Sequence, residues 1–191
     1  ILSGPFSQKD CVYYRYIIER YETNRKGGGS WRTVQSGNES VPFSLQDASG
    51  SVLVDPTGAE IDIAETITLR SQFGVDPPKH VQVFLQKKGV SFEGFLGANQ
   101  TMRYKEYALF PQQIVYIMGT AGDNPYVAEG KMQKNEEDIM IQKAQSLYYI
   151  SPKSEKEVLA SFTWKIVSGI IFGGICFLLG LIGIFLYFNI F

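Results

Sequence analysis

The 191-residue chain has few of the side chains that most often bind metals or act as nucleophiles. It contains two cysteines, Cys11 and Cys176, and one histidine, His80. A structural zinc site takes four ligands, so these three residues exclude a zinc-binding domain built on cysteine and histidine. We also expect no disulfide, because Cys11 opens a predicted strand and Cys176 lies in a strongly apolar segment. The chain is therefore expected to use neither a metal nor another cofactor.

The chain has almost no net charge, and its C-terminal end contains no charged residue. The 18 Lys and Arg against 19 Asp and Glu give a net charge of −1, which leaves no basic excess for nucleic acid. All of these charged residues fall within residues 1–165, and none falls within residues 166–191. The composition thus indicates a soluble part joined to a membrane segment.

Residues 166–188 form a run in which Ser168 is the only strongly polar side chain. About 20 apolar residues span the hydrocarbon core as a helix, whose backbone groups are satisfied within the segment. A buried helix of a soluble protein would keep a polar face, and this run has none. We predict a transmembrane helix in the lipid bilayer, with Trp164, Lys165 and Tyr187 as interfacial anchors.

Small residues recur along this run at spacings of four and three, which places them on one helix face. Small side chains let membrane helices approach closely, and packing then favours their association. We therefore predict contact with another transmembrane helix, from a second copy or a partner protein. The predicted packing seam consists of Gly169, Gly173, Cys176, Gly180 and Gly183.

Lysines precede the predicted helix at positions 153, 156 and 165, and no charge follows it. The positive-inside rule then places the soluble part in the cytoplasm. The chain starts at Ile1 and not at Met, so we expect residues upstream, and a membrane helix there would change this orientation. The sequence identifies neither the organism nor the membrane.

The first 150 residues show short strands separated by turns, so we predict a mainly β domain, barrel-like or a sandwich of antiparallel strands. Residues 11–22 alternate with period two and are rich in aromatic and β-branched side chains, which predicts a long strand. A hairpin is predicted around the turn at residues 47–50. The other predicted strands are residues 31–35, the Val81–Val83–Leu85 alternation, a pair at 101–109 and 113–118, and segments 129–133 and 138–143.

A short helix is predicted at residues 151–165, between the β-rich domain and the membrane segment. Ser151–Pro152 can open it, and Ser154 with Glu157 matches a capping box. We expect this helix to continue into the membrane helix and to hold the domain rigidly beside the bilayer. The predicted division is thus 1–150, 151–165 and 166–188.

The chain shows no constellation typical of catalysis. A Ser/His/Asp or Cys/His site would require His80, which we interpret as a surface or structural residue. Gly27–Gly28–Gly29 lacks the spacing of a phosphate-binding loop and is interpreted as a hairpin loop. An unmarked pair of carboxylates leaves a hydrolase open, although we expect the chain not to be an enzyme.

Residues 90–100 place three large apolar side chains, Phe92, Phe95 and Leu96, among glycines. This loop could be exposed and contact lipid or a protein partner. The alternative, in which the loop packs onto the core, is equally compatible with the sequence.

Several short motifs, in a shared order, give the chain a family resemblance. It resembles the GIDE domain, also called BAM for "beside a membrane", over its whole soluble part and the following helix. The motifs are Ser3–Gly4–Pro5, Cys11–Val12–Tyr13–Tyr14–Arg15, Trp31–Arg32–Thr33–Val34, Val41–Pro42–Phe43, Asp47–Ala48–Ser49–Gly50, Val54–Asp55–Pro56–Thr57–Gly58–Ala59–Glu60, Arg103–Tyr104–Lys105–Glu106, Val115–Tyr116–Ile117–Met118–Gly119 and Tyr149–Ile150–Ser151.

The resemblance implies a relation to membrane-embedded ubiquitin ligases, in which a RING follows the second membrane helix. A RING needs two zinc sites, and these 191 residues provide none, so no ligase residue can be transferred to this chain. Our first hypothesis is a membrane-anchored, non-catalytic domain that binds a protein or lipid partner beside the bilayer. The second is a component of ubiquitin transfer whose RING is supplied elsewhere, and the third is a membrane-proximal hydrolase.

Overall fold

The computed structural model describes residues 1–23, 27–94, 97–127, 138–144 and 147–190, without the side chains at 161, 189 and 190. The chain divides into two compact units, Ile1–Pro152 and Lys153–Phe191. The elements are β1 (Leu2–Ser3), β2 (Asp10–Cys11), β3 (Tyr13–Thr23), β4 (Gly29–Ser40), β5 (Phe43–Gln46), β6 (Ser51–Val54), β7 (Glu60–Ile61), β8 (Ile67–Ser71), α1 (Lys79–Lys87), β9 (Met102–Leu109), β10 (Tyr116–Met118), β11 (Thr120–Asp123), β12 (Ile139–Gln142), β13 (Tyr149–Ser151) and α2 (Glu155–Ile190).

The main sheet has the order β4-β3-β9-β8, and all its neighbours are antiparallel. The inner strand β3 confirms the long strand predicted from period-two alternation. The predicted strand is interrupted at Val12, which lies between β2 and β3. Tyr14, Tyr16 and Ile18 are buried on one face of β3, as the alternation predicts. The mainly β fold class is therefore confirmed for the N-terminal unit.

A second four-stranded sheet has the order β11-β12-β6-β5, and a three-stranded sheet has the order β10-β13-β7. The predicted hairpin is confirmed as β5 and β6, joined by the turn that starts at Asp47. Both sheets are mixed, because β12 runs parallel to β6 and β13 runs parallel to β7. The predicted strand at 138–143 is confirmed as β12, whereas residues 129–133 lie outside the described residues.

Buried side chains form two clusters in the N-terminal unit. The first lies between the main sheet, α1 and the β1–β2 loop, and it consists of Phe6, Cys11, Tyr14, Tyr16, Ile18, Val81, Leu85, Met102, Tyr104 and Ala108. The second lies by the two smaller sheets, and it consists of Tyr13, Val54, Ile63, Leu109, Tyr148 and Ile150.

The predicted strand at Val81–Val83–Leu85 is wrong, because these residues belong to helix α1. The helix begins after Pro78, which lacks an N–H to donate and is well tolerated at a helix start. Val81 and Leu85, four residues apart, are buried, whereas Val83 is exposed. The alternation of three apolar residues thus came from two residues on the buried helix face and one on the opposite face.

The predicted pairing of residues 101–109 with 113–118 is also wrong. Strand β9 pairs with β3 and β8, and β10 pairs with β13. The segment between them, which contains Pro111, therefore does not close a hairpin. Both partners of β9 lie more than thirty residues away in the chain, beyond the reach of local turn chemistry.

The second unit is one continuous helix, α2, of 36 residues. The predicted capping box is confirmed: the main-chain N–H of Ser154 donates to Glu157 Oε2 at 2.9 Å. The return contact runs from the Glu157 N–H to the Ser154 hydroxyl at 3.4 Å. The membrane-proximal helix and the membrane helix are therefore a single element, as the sequence predicts.

Candidate functional site

Helix α2 is apolar on every side along the segment from residue 166 to residue 188, and its described side chains there are exposed. At 1.5 Å per residue these 23 positions extend about 34 Å, slightly more than the hydrocarbon thickness of a bilayer. This helix is long and apolar enough to cross a membrane. Such a surface is unfavourable in water, so it indicates contact with lipid or other membrane helices.

The three predicted anchors lie at the two ends of this apolar segment. Trp164 and Tyr187 are both exposed and are separated by about 34 Å of helix. The ammonium group of Lys165 lies 5.5 Å from the centre of the Phe162 ring. Aromatic and basic side chains are typical of the interfacial levels of a bilayer, and the role of these three residues as anchors stays a prediction.

The glycines of the predicted seam lie on α2 with open space beside their Cα atoms. Apart from the adjacent backbone of α2 itself, a Cβ atom placed at Gly169, Gly173, Gly180 or Gly183 would meet no described atom within 4 Å. Cys176, the fifth seam residue, is also exposed. The seam is therefore free on the surface of this chain, and its role in helix packing stays a prediction.

The predicted contact loop at residues 90–100 is described only in part. Phe92 is half-buried and packs against the first core cluster, whereas Phe95 and Leu96 lie outside the described residues. Among the large apolar side chains that are exposed elsewhere in this unit, and that the sequence did not single out, are Phe73 with an exposed fraction of 81% and Ile114 with 89%. Both lie between regular elements, Phe73 in a turn and Ile114 in an irregular segment, where the sequence has no periodicity to assign a side chain to the core or the solvent.

A groove runs along the outer edge of strand β5 in the N-terminal unit. It has a volume of about 730 Å³, and its walls are β5 and the segment that follows β9. We call it the β5 groove; it is lined by Ile1, Val12, Val41, Pro42, Phe43, Ser44, Leu45, Gln46, Asp47, Leu109, Phe110, Pro111, Gln112, Gln113, Ile114 and Val115. Asp47 is its only charged side chain, and that carboxylate accepts hydrogen bonds from its own turn at Ser49 and Gly50.

Strand β5 lies at an edge of its sheet, and β6 is its only partner strand in the part of the chain that the structure describes. The N–H of Asp47 donates to the carbonyl of Gly50 at 3.0 Å, which makes this a hydrogen-bonded pair. Antiparallel pairs alternate, so Leu45 and Phe43 direct their main-chain groups to β6. The main-chain groups of Ser44 and Gln46 therefore point away from β6, toward the open edge.

Natural edge strands are usually protected from pairing by charged side chains, proline or bulges. The edge strand β4 has Arg32 and Glu39 and a register shift opposite residues 18 and 19 of β3, and the edge strand β8 has Arg70. Strand β5 reads Phe-Ser-Leu-Gln and contains no charge, proline or bulge, so its short length is the one protective feature of an edge strand that it shows. An uncharged open edge beside an apolar groove can accept an extended segment of another chain.

The N-terminal loop between β1 and β2 closes over a buried carboxylate of the main sheet. Glu106 Oε2 accepts hydrogen bonds from the main-chain N–H groups of Phe6 and Ser7, and Oε1 accepts one from the Ser7 hydroxyl. His80 Nε2 lies 3.1 Å from the carbonyl oxygen of Phe6. Glu106 and His80 thus hold the N-terminal loop in place.

Among the residues that the structure describes, no three His, Cys, Asp or Glu side chains lie close enough together to hold a metal ion. Within the same residues, Cys11 is buried in the first core cluster and Cys176 is exposed on α2, so both are free thiols. Burial raises the pKa of the Cys11 thiol to about 11, with further increases from the nearby carboxylates of Glu106 and Asp10. A thiol with this pKa is a poor nucleophile at neutral pH.

A protein-family model, that of the GIDE family with the description E3 ubiquitin ligase, matches residues 14–185. The match covers nine-tenths of the chain and includes β3 except its first residue, strands β4 to β13, and most of helix α2. No curated protein and no solved structure matches the chain.

Proposed function

The chain belongs to the GIDE family, and from this premise we propose that it is a membrane-anchored, non-catalytic interaction protein. In this proposal α2 crosses the bilayer, and the N-terminal unit binds an extended segment of a protein partner in the β5 groove. The observation that supports this function best is the open, uncharged edge of β5 beside an apolar groove.

The geometry of the groove defines the kind of partner. The main-chain groups of Ser44 and Gln46 can pair with an added strand, because they point away from β6. Exposed Ile114 and the partly buried Phe43 provide apolar contacts for alternate side chains of that strand. The expected partner is therefore an extended, mostly apolar peptide with little charge, since Asp47 is the only charged lining residue.

Panning of a combinatorial peptide library against the full chain in lipid nanodiscs tests this function. We expect selected peptides to bind with micromolar affinity and to show apolar residues at alternate positions. Ser44→Pro removes one outward N–H without affecting the bonds to β6, so peptide affinity is expected to fall by about tenfold. Ser44→Thr is the matched control, because it keeps the N–H and is expected to bind as the native chain does.

A second variant tests the apolar wall separately from the strand edge. Ile114→Ser shortens an exposed side chain that packs little within the chain, and it is expected to weaken peptide binding without changing stability. Selected peptides whose affinity is the same for Ser44→Pro and the native chain would contradict binding at the β5 edge. Failure to select any peptide would contradict the interaction function itself.

The family description favours a second candidate, participation in ubiquitin transfer. The sequence has only two cysteines and one histidine, whereas a RING requires two zinc sites with four ligands each. In this second proposal the chain would position a partner for transfer, and a RING would come from residues outside these 191 or from another protein. Ubiquitin transfer above the level of the activating and conjugating enzymes alone, by the purified chain, would overturn the non-catalytic proposal.

A further inference from the structure

The turn after β8 displays an aromatic side chain at its tip. The N–H of Gln72 donates to the carbonyl of Val75 at 3.2 Å, and the N–H of Val75 donates back to Gln72 at 2.8 Å. These two bonds close a two-residue turn of Phe73 and Gly74, in which Gly74 has a φ of +74°. The Phe73 ring is 81% exposed, and Val75 beside it is also exposed.

The stem of this turn is fixed to its surroundings. Asn99 Nδ2 donates to Asp76 Oδ1 at 2.6 Å, and Gln82 Nε2 donates to the carbonyl of Pro77 at 2.8 Å. Pro77 and Pro78 then lead directly into α1, and their rings restrict the backbone. The exposed phenylalanine is therefore held on a defined turn next to the helix.

Helix α1 continues the same kind of surface. Its exposed positions are Lys79, Val83, Gln86 and Lys87, whose spacings of four, three and one place them on one helix face. The helix contains no Asp or Glu. Neither Lys79 nor Lys87 forms an ion pair with any residue that the structure describes, whereas Lys88 lies 3.7 Å from Glu39.

From the exposed side chains of this stretch we define the turn–helix patch, which consists of Phe73, Val75, Lys79, Val83 and Lys87. Gln72, Asp76, Pro78 and Gln86 are also exposed, and the Asp76 carboxylate accepts the hydrogen bond from Asn99. We propose that the turn–helix patch binds the surface of an anionic lipid bilayer. Positive charge without carboxylate partners complements acidic headgroups, and exposed aromatic and aliphatic side chains can enter the boundary between headgroups and acyl chains. The cores of protein interfaces, by contrast, are depleted of lysine.

A patch of this size is weak by itself, because two lysines and three apolar side chains are few for independent membrane binding. The inference rests on the proposed membrane anchor, which keeps the N-terminal unit close to the bilayer and raises the effective concentration of the lipid surface. It is independent of the β5 groove, which involves none of the same residues.

Hydrogen–deuterium exchange of the full chain in nanodiscs tests the proposal. One set of discs contains only phosphatidylcholine, and the other contains about one third phosphatidylserine. We expect exchange in peptides covering residues 70–88 to be severalfold slower in the anionic discs. Peptides from β3 and β9 serve as the internal reference for an intact fold.

Charge reversal and removal of the ring separate the two parts of the patch. Lys79→Glu with Lys87→Glu is expected to abolish the difference in exchange between the two disc types, and Phe73→Ser is expected to reduce it.

The matched control for charge is Lys9→Glu with Lys143→Glu. These two exposed lysines lie elsewhere in the chain, and the double substitution gives the same change in net charge. The control for apolar exposure is Ile114→Ser, which is expected to leave the protection of residues 70–88 unchanged.

Equal exchange of residues 70–88 in neutral and anionic discs would overturn the proposal. Loss of protection in the Lys9 and Lys143 control would also overturn it, because the effect would then follow net charge and not the turn–helix patch. A chain that fails to copurify with discs of either kind would overturn the proposed anchor and this inference with it. Failure of the turn–helix patch alone is distinguishable from failure of the anchor. In that case the chain copurifies with both kinds of disc, and residues 70–88 exchange at the same rate in each.

Discussion

The buried carboxylate of Glu106 accepts a hydrogen bond from the main-chain N–H of Phe6 at 2.6 Å, although the two residues are a hundred positions apart. This bond joins the N-terminal loop to the centre of the main sheet. The Phe6 ring is thereby held in the first core cluster, 5.8 Å from the Tyr104 ring and 5.4 Å from the Phe84 ring. One carboxylate therefore positions both the loop and an aromatic contact between sheet and helix.

Replacement of Glu106 by Ala is expected to lower the free energy of unfolding by about 2–4 kcal/mol. The variant loses three hydrogen bonds and leaves the buried N–H of Phe6 without an acceptor. Urea unfolding of the full chain in detergent, followed by near-ultraviolet circular dichroism, measures the loss. Glu93→Ala is the control, because that side chain is exposed, and a similar loss there would contradict a specific role for Glu106.

Two of the motifs that give the family resemblance meet at this carboxylate. Gly4 belongs to the first motif and Glu106 to a later one, and a Cβ at Gly4 would lie 2.6 Å from Glu106 Oε1. The sequence shows each motif but not their contact, because nothing local links residue 4 to residue 106. The close approach explains physically why glycine occupies position 4.

Local signals predicted the elements whose causes are local. The period-two pattern of β3, the turn between β5 and β6, and the capping box at Ser154 were all correct. Helix α1 was not predicted. Its three alternating apolar residues fit a strand as well as a helix when the effect of Pro78 is ignored. The β5 groove could not be predicted, since the edge position of β5 depends on pairing of residues 53 and 54 with residues 140 and 141.

The carboxylate of Glu19 provides a pH-dependent contribution to stability. Hydrogen bonding from the Arg103 guanidinium holds the pKa of Glu19 below its ordinary value of 4.5, and Lys105 Nζ adds a contact at 3.4 Å. The folded state then binds fewer protons than the unfolded state between the two pKa values, so stability rises with pH there. The contribution is fully present above about pH 5 and is lost as pH falls through the folded pKa.

We therefore expect Glu19→Gln to remove about 1–2 kcal/mol of stability at pH 7 and much less at pH 3. Thermal unfolding at both values measures the difference. Glu22→Gln is the matched control: the pairs of Glu22 with Arg20 and Arg32 are more exposed, with 37% of its side chain accessible against 12% for Glu19, and solvent screens them. A pH dependence that Glu19→Gln leaves unchanged would contradict this assignment.

The thiol of Cys11 is expected to resist alkylation in the folded chain. It is fully buried, and burial raises its pKa to about 11, so almost no thiolate forms at pH 8. Iodoacetamide labelling at pH 8, read by mass spectrometry of the Cys11 peptide, is expected only after unfolding. Ser44→Cys places a thiol at an exposed position and is expected to label readily; complete labelling of native Cys11 would show that the N-terminal loop opens.

The glycine seam of α2 offers a test in which intramolecular packing is not a competing explanation. Apart from the adjacent backbone of α2 itself, a Cβ at Gly173 or Gly180 meets no described atom within 4 Å, so Gly173→Leu and Gly180→Leu start from open space on the helix surface. Leucine also has the higher helix propensity, and the helix itself is therefore expected to persist. Any loss of association then reports a contact between helices.

We expect each seam variant to weaken association in bilayers by roughly tenfold, because leucine keeps the two backbones apart. Energy transfer between labelled full chains in vesicles of varied lipid-to-protein ratio measures the change. Gly174→Leu is the matched control: it adds the same side chain in equally open space, about 100° around the helix from Gly173. Equal effects of substitution at 173 and 174 would show that lipid packing, and not the seam, determines association.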